Sequence, residues 1–443
     1  MSELLKIGYA RKCITPEESV PLAGYGNSAA RMSEKVINDL FTTCIAFADK
    51  ENTVLLFSND LLMSQESIFD PIRQAIADTL GFTIDQVLVS ATHTHSGPDL
   101  RCDHPAIDRY LPMLTQQMVA CAQEAVSDLK DATIAITNTT TKNMSYVRHY
   151  VLEDGTYKGV NLNVYNTTPI AYHSSEADQH MQLVKFMREG GKDVIVANWQ
   201  THPHLTGFGK ADVSSDMIGV MRQQMEEALD CQFVYFSGAS GNLTIRSFDE
   251  KDNIFNDHIS HGTELTRYAL EAAKNWTPVA NGPVKLASYK ATEKINLPND
   301  ELLETSKDVW NFFTTNKNYK ESIFYAESKG MHSQYQANFV LVRKRLHDEG
   351  TTSKELPLYA LSIGDVAFVT VPYEMFDTNG KYVRDFSPFK ATIVATCANA
   401  YNSYIPSAYG YLNDCYEADV ALYGPGTGER LAQRYIKMLE SLR

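Results

Sequence analysis

Val87-Leu88-Val89-Ser90-Ala91-Thr92-His93-Thr94-His95 sets a short apolar run against an abrupt polar end. The run has no polar residue at alternate positions, so it reads as a strand covered on both faces. The same construction recurs along the chain. Val54-Leu55-Leu56-Phe57 ends in Ser58-Asn59-Asp60, and Val194-Ile195-Val196-Ala197 leads to Asn198-Trp199-Gln200-Thr201-His202. Phe233-Val234-Tyr235-Phe236 breaks into Ser237-Gly238-Ala239-Ser240-Gly241-Asn242. Val366-Ala367-Phe368-Val369 runs on to Pro372-Tyr373-Glu374, and Ile393-Val394-Ala395 to Asn399 and Tyr404. Amphipathic stretches over residues 64–80, 105–129 and 214–229 predict helices between them. Residues 300–347 read mostly helical, and 427–442 as a closing helix. Strands alternating with helices predict an α/β class, with a mixed sheet and covering helices. Residues 1–443 are expected to form a single domain, with 300–350 as a helical subdomain or lid. In such folds ligands sit beyond the carboxyl ends of strands, which here are the polar ends just quoted.

The formal net charge of -14 argues against a nucleic-acid partner, which usually meets a basic face. No apolar stretch is long enough for a transmembrane helix, and the N-terminus carries no signal-peptide pattern. Seven cysteines are widely spaced with no C-x-x-C, which fits free thiols in a reducing compartment. The expected location is therefore cytoplasmic. No P-loop, G-x-G-x-x-G or G-x-S-x-G is present, so nucleotide binding and a serine nucleophile elbow find no support. Oligomeric state is not legible.

His93 and His95 flank one residue, and in an extended strand positions i and i+2 share a face. Both imidazoles can then approach one centre, as metal ligands or as ligand and neighbour. A pair of structural histidines at a strand end is the competing reading. Gln200-Thr201-His202-Pro203-His204 repeats the theme, with His202 held extended by the following proline. Two such clusters at equivalent strand ends favour a metal site. The amides of residues 238–244 form a glycine-punctuated turn able to donate to an oxyanion or hydroxyl. Glu374 is a candidate carboxylate ligand or base, against the commoner solvated loop glutamate. Tyr401, Tyr404, Tyr409, Tyr411, Tyr416 and Tyr423 crowd one segment, where packing is the simpler account.

Taken in order, these segments resemble the neutral ceramidase family. Ile14-Thr15-Pro16 and Gly24-Tyr25-Gly26 are similar to its N-terminal signature, and Ser58-Asn59-Asp60 to its early strand end. Ala91-Thr92-His93-Thr94-His95-Ser96-Gly97-Pro98 resembles its most specific motif, T-H-T-H-[SA]-G-P. Arg148 falls at its Asn-Arg element; His202-Pro203, Ser214-Ser215-Asp216 and Gly241-Asn242 follow in family order. Pro372-Tyr373-Glu374 looks like its P-G-E, and the segment from Asn399 to Ile405 like its N-x-Y-x-x-Y-I. Tyr416-Glu417 and Tyr423-Gly424-Pro425 resemble its closing elements. The match spans residues 8–425.

The resemblance implies a catalytic domain with one Zn2+ held by His93, His202, Glu374 and Tyr404. It implies that His95, Arg148 and Tyr416 lie near the scissile carbonyl, where metal-activated water cleaves a linear N-acyl amide of a small-molecule or lipid-like substrate. The family's G-D-V-S-P-N is here Gly241-Asn242-Leu243-Thr244-Ile245-Arg246, so Thr244 stands in for the substrate-side serine. The P-G-E glycine is Tyr373, expected at the pocket entrance. No C-terminal immunoglobulin-like domain is expected after Arg443. These departures set the substrate apart from ceramide itself. The alternatives are a metal-dependent esterase on the same site and a binding protein that has lost turnover.

Overall fold

The computed structural model describes residues 5–25, 28–159, 168–207, 209–316, 318–331, 333–413 and 415–443. Its largest sheet is nine-stranded and mixed. Eight strands form its path: β1 (Lys6–Cys13), β2 (Phe41–Ala48), β3 (Thr53–Asn59), β4 (Val87–Ala91), β5 (Lys130–Thr140), β6 (His180–Arg188), β7 (Val194–Trp199) and β8 (Gln232–Ser237). The spatial order is β8-β7-β6-β5-β1-β2-β3-β4, and the ninth strand, Thr277–Val279, lies against β5. Only the two ends are parallel: β7 pairs β8 from Val194↔Gln232, and β3 pairs β4 from Leu55↔Val87. A second sheet runs β9 (Val284–Lys294), β10 (Ser353–Ile363), β11 (Val366–Thr370) and β12 (Ala391–Ala395), with β11 and β12 parallel.

The two sheets pack face to face, which the sequence reading of a single sheet did not foresee. Phe368 of β11 lies 5.3 Å from Phe47 of β2 and 6.2 Å from Phe236 of β8, ring to ring. Strand alternation explains why the decisive runs are apolar throughout. Along β3, Val54 and Leu56 enter the core between the sheets, while Leu55 and Phe57 point to the helices. Along β11, Val366 and Phe368 face the first sheet, and Ala367 and Val369 face the outer side.

Helices close both outer faces. α1 (Glu66–Leu80) and α2 (Pro105–Ser127) cover one half of the large sheet through Phe69, Ile76, Leu114 and Met118. α3 (Asp216–Leu229) and α4 (His258–Ala272) cover the other half through Met217, Met221 and Leu265. The next three helices, α5 (Asp300–Asn316), α6 (Tyr319–Ser328) and α7 (Gln334–Asp348), build a small core of their own around Val309, Ala326 and Val340. α7 ties to the body where Arg343 donates to the carbonyls of Asp419 and Ala421, at 3.0 and 2.7 Å. The second sheet is covered by α8 (Asp377–Asp385) and, after the short α9 (Ala408–Leu412) and α10 (Tyr416–Asp419), by α11 (Thr427–Leu442). Among the described residues no helix is long and apolar enough to cross a membrane.

Candidate metal centre

The carboxyl ends of β4, β7, β8 and β12 converge. Thr396, just past β12, donates its N–H to Ser237 at the end of β8 (3.0 Å), and Asn399 exchanges hydrogen bonds with Val89 of β4. β4 ends at Ala91, and the chain then turns sharply, with His93 in the left-handed region at φ 69°. A branched-at-Cγ residue sits there only when its surroundings hold it. They do so twice: the His93 N–H donates to Leu61 O (2.9 Å), and its Nδ1 lies 2.7 Å from Leu62 O. A carbonyl can only accept, so Nδ1 carries the proton and Nε2 of the neutral ring presents a lone pair. His95 is fixed to the other histidine loop, donating its N–H to Pro203 O (3.1 Å). That loop is clamped in turn by Asp216, whose carboxylate accepts from Thr206 N and Oγ1, both at 2.8 Å.

Glu374 and Tyr404 meet in a two-residue parallel ladder, Glu374–Met375 against Tyr404–Ile405. The segment leading to Tyr404 is strained, with Cys397, Asn399 and Ser403 all at positive φ. Asn399 anchors it, and Tyr401 Oη donates to Glu374 Oε1 at 2.7 Å. That bond turns Oε2 toward the histidines: His202 Nε2 lies at 3.2 Å and His93 Nε2 at 3.4 Å from it. The ring nitrogens of His93, His95 and His202 come within 4.8 Å of one another, all buried. His93 Nε2, both nitrogens of His95 and of His202, and Glu374 Oε2 make no hydrogen bond among the described residues. So many converging buried acceptors and donors without partners are costly unless a ligand satisfies them.

The electrostatics agree with a cation there. Burial alone would raise the Glu374 carboxyl, but His93 and His202 hold it well below its ordinary range. Burial, with the nearby Arg148, lowers His202 to about 4, and burial beside His93 and His202 keeps His95 neutral. Burial also opposes a proton on His93, yet Cys397 and Glu374 outweigh it; a divalent cation satisfies the same carboxylate without that proton. Two or three imidazoles, a carboxylate and a nearby phenol form a donor set suited to zinc. Burial and Glu374 raise the Tyr404 hydroxyl, while Arg148, 5.4 Å from its ring centroid, draws it down.

Arg148 follows the short strand Tyr146–Val147, which pairs with Leu243–Thr244. Its Nε donates to Glu417 at 2.6 Å and its Nη2 to Gly241 O at 2.7 Å, and His149 takes the other Glu417 oxygen at 2.8 Å. His149, Cys415 and Glu417 also have metal-ligand types close together, but the carboxylate is already engaged by the two bases. Tyr416 stacks edge-on to Tyr404 at 6.2 Å, and Thr244 Oγ1 lies 3.4 Å from His204 Nε2.

His93, His95, His202 and Glu374 thus lie together, and two local readings need correction. The two histidines after β4 do not share a face by strand alternation, because the strand has ended and a left-handed turn makes them converge. Three amides of the glycine turn are engaged within the protein: Gly238 N donates to Trp199 O, Gly241 N to Met375 O and Leu243 N to Ser240 O. Gly241 is required for packing instead, since a Cβ there would sit 2.8 Å from Glu374 O. Tyr373 is not at an entrance; it is fully buried in the core beneath α11. Gly26 of the Gly24-Tyr25-Gly26 element lies outside the described residues. The sequence reading passed over Tyr401 and gave Glu417 no role. Neither had a local signal beyond lying in the tyrosine-rich segment.

The protein is thus a mixed α/β protein with a buried histidine–carboxylate cluster at its strand ends. A scan against protein-family models and a search of curated proteins both give no match. Among solved structures, neutral ceramidase from Pseudomonas aeruginosa matches with a TM-score of 0.73 at 15% identity, over 100% of this chain and 75% of that one. A ceramidase complexed with C2 matches with a TM-score of 0.72 at 15% identity, over 100% and 76%. The chain has the fold of neutral ceramidase.

Proposed function

We propose that this protein is a zinc-dependent hydrolase of linear N-acyl amides. The observation that carries the reading is the set of buried atoms on His93, His202 and Glu374 that face one another and make no hydrogen bond among the described residues. His93, His202, Glu374 and Tyr404 would hold the ion, with His95 beside it. Bound there, zinc supplies Lewis acidity toward a carbonyl and lowers the pKa of water toward neutrality. Leu62 O fixes the His93 tautomer and Tyr401 fixes the carboxylate. Arg148, held by Glu417 and Gly241 O, keeps a positive charge on the side where an amide oxyanion develops, and Tyr416 adds a donor. Thr244, beside His204, would face the substrate. The ceramidase fold supports the reaction class, because ceramide is an N-acyl amide. All seven cysteines are free, which supports a reducing, cytoplasmic setting.

The test is turnover of matched amide and ester substrates before and after chelation. Amide cleavage lost to a chelator and restored by zinc is the expected outcome. Ester-only cleavage moves the reading to an esterase, and cleavage indifferent to chelation contradicts it.

A further inference from the structure

Asn242 and Asp377, the first residue of α8, exchange two hydrogen bonds. Asn242 Nδ2 donates to Asp377 Oδ1 at 2.8 Å, and Asn242 Oδ1 accepts from Asp377 N at 2.9 Å. Both residues are buried. Asp377 Oδ1 also accepts from Thr378 N at 2.7 Å, and its Oδ2 from Asp178 N at 3.0 Å. An amide at 242 offers a donor and an acceptor at once, which is what the carboxylate and the N–H of Asp377 together require.

The pair joins two pieces of chain that carry different parts of the site. One is the glycine turn, from which Arg148 hangs twice: its Nη2 donates to Gly241 O at 2.7 Å, and its N–H donates to Asn242 O at 2.9 Å. The other is the segment after β11 that carries Glu374, where Met375 O accepts from Gly241 N at 2.8 Å. That single backbone bond leaves the two pieces free to swing about it. The reciprocal pair between Asn242 and Asp377 supplies a second attachment and removes that freedom.

We infer that Asn242 and Asp377 are positioning residues, which fix the Arg148 cation relative to the Glu374 carboxylate. The inference rests on the amide-hydrolase reading above, in which Arg148 stands where the oxyanion develops, so that a small displacement of its guanidinium costs rate. Asn242→Asp keeps the shape of the side chain but sets two buried carboxylates against each other. Adding Asp377→Asn returns a donor opposite an acceptor with the polarity reversed.

The test uses the zinc-loaded full chain, with zinc content measured by elemental analysis and folding by circular dichroism. The probes are N-acetyl-phenylalanine, N-acetyl-phenethylamine and N-palmitoyl-sphingosine in detergent micelles, and the one wild type cleaves fastest is used throughout. Asn242→Asp is expected to lower kcat by about tenfold or more, with KM within about twofold of wild type and zinc content unchanged. The double variant Asn242→Asp with Asp377→Asn is expected to recover most of that loss. Asn242→Ala, which removes the pair without adding a charge, is expected to show the same fall and serves where Asn242→Asp does not fold. A pair that only stabilises the fold would lower the urea midpoint and leave kcat per zinc-loaded chain unchanged. That result overturns the inference and leaves amide hydrolysis standing. Loss of zinc from the single variants, or a fall in kcat that the double variant does not recover, overturns it as well. No cleavage of any probe by the zinc-loaded wild type overturns the hydrolase reading, and this inference falls with it.

Discussion

Replacing Tyr401 by phenylalanine removes one oxygen, and with it the 2.7 Å hydrogen bond to Glu374 Oε1. That bond is part-buried, and its acceptor is a carboxylate held ionised by the histidines around it. Hydrogen bonds to charged groups contribute about 1.5–3 kcal/mol, and the lost partner takes this donor from Oε1. If the bond is what aims Oε2 at the metal position, the loss appears in metal affinity as roughly tenfold to a hundredfold weaker zinc binding. The assay is competition against a zinc-binding dye, with circular dichroism to confirm that the fold survives. Tyr373→Phe is the matched control, next to Glu374 in the chain: its hydroxyl is fully buried with no partner among the described residues, so its removal leaves zinc affinity unchanged and stability equal or higher. Equal zinc affinity in Tyr401→Phe and wild type would refute the orienting role.

Glu417→Gln leaves Arg148 buried without its counter-ion and is expected to cost about 3–5 kcal/mol, read as a drop in the urea midpoint. Burial would raise the Glu417 carboxyl, but Arg148 and His149 hold it at about 2, below its ordinary 4.5. A carboxylate lowered in the folded state stabilises fully above pH 4.5, by about 3 kcal/mol, and loses that contribution as pH falls toward 2. The variant should therefore show a flatter acid limb in stability against pH; an unchanged limb contradicts the assignment. Phe368→Ala empties the contact between the sheets with Phe47 and Phe236, for an expected loss of about 3–5 kcal/mol. A loss under about 1 kcal/mol would mean the sheets do not pack as described.

Six apolar runs announced their strands because each is covered on both faces, by the facing sheet and by helices. The antiparallel strands escaped the same reading. β9 carries a run of three exposed residues, Ser288-Tyr289-Lys290, and β5 and β6 mix Thr, Lys and Gln into their pattern. Without them the second sheet was invisible, because face-to-face packing of two sheets leaves no mark on any single strand. The candidate metal site was legible at His93 and His202, where unusual residues break strand ends. Glu374 was legible as a candidate carboxylate at a strand end, whereas Tyr404, which meets it through a two-residue ladder, needed the family resemblance. Tyr401 and Glu417 act through side-chain bonds to distant partners, and no spacing records such bonds.

Metal content is the most direct measurement of the central claim. Wild type, His93→Ala and His202→Ala, purified without added metal and then offered zinc, would be compared by elemental analysis with their folds verified. The account predicts about one zinc per wild-type chain and little in either variant. A wild-type chain that takes up no zinc, or variants that retain it in full, would contradict it.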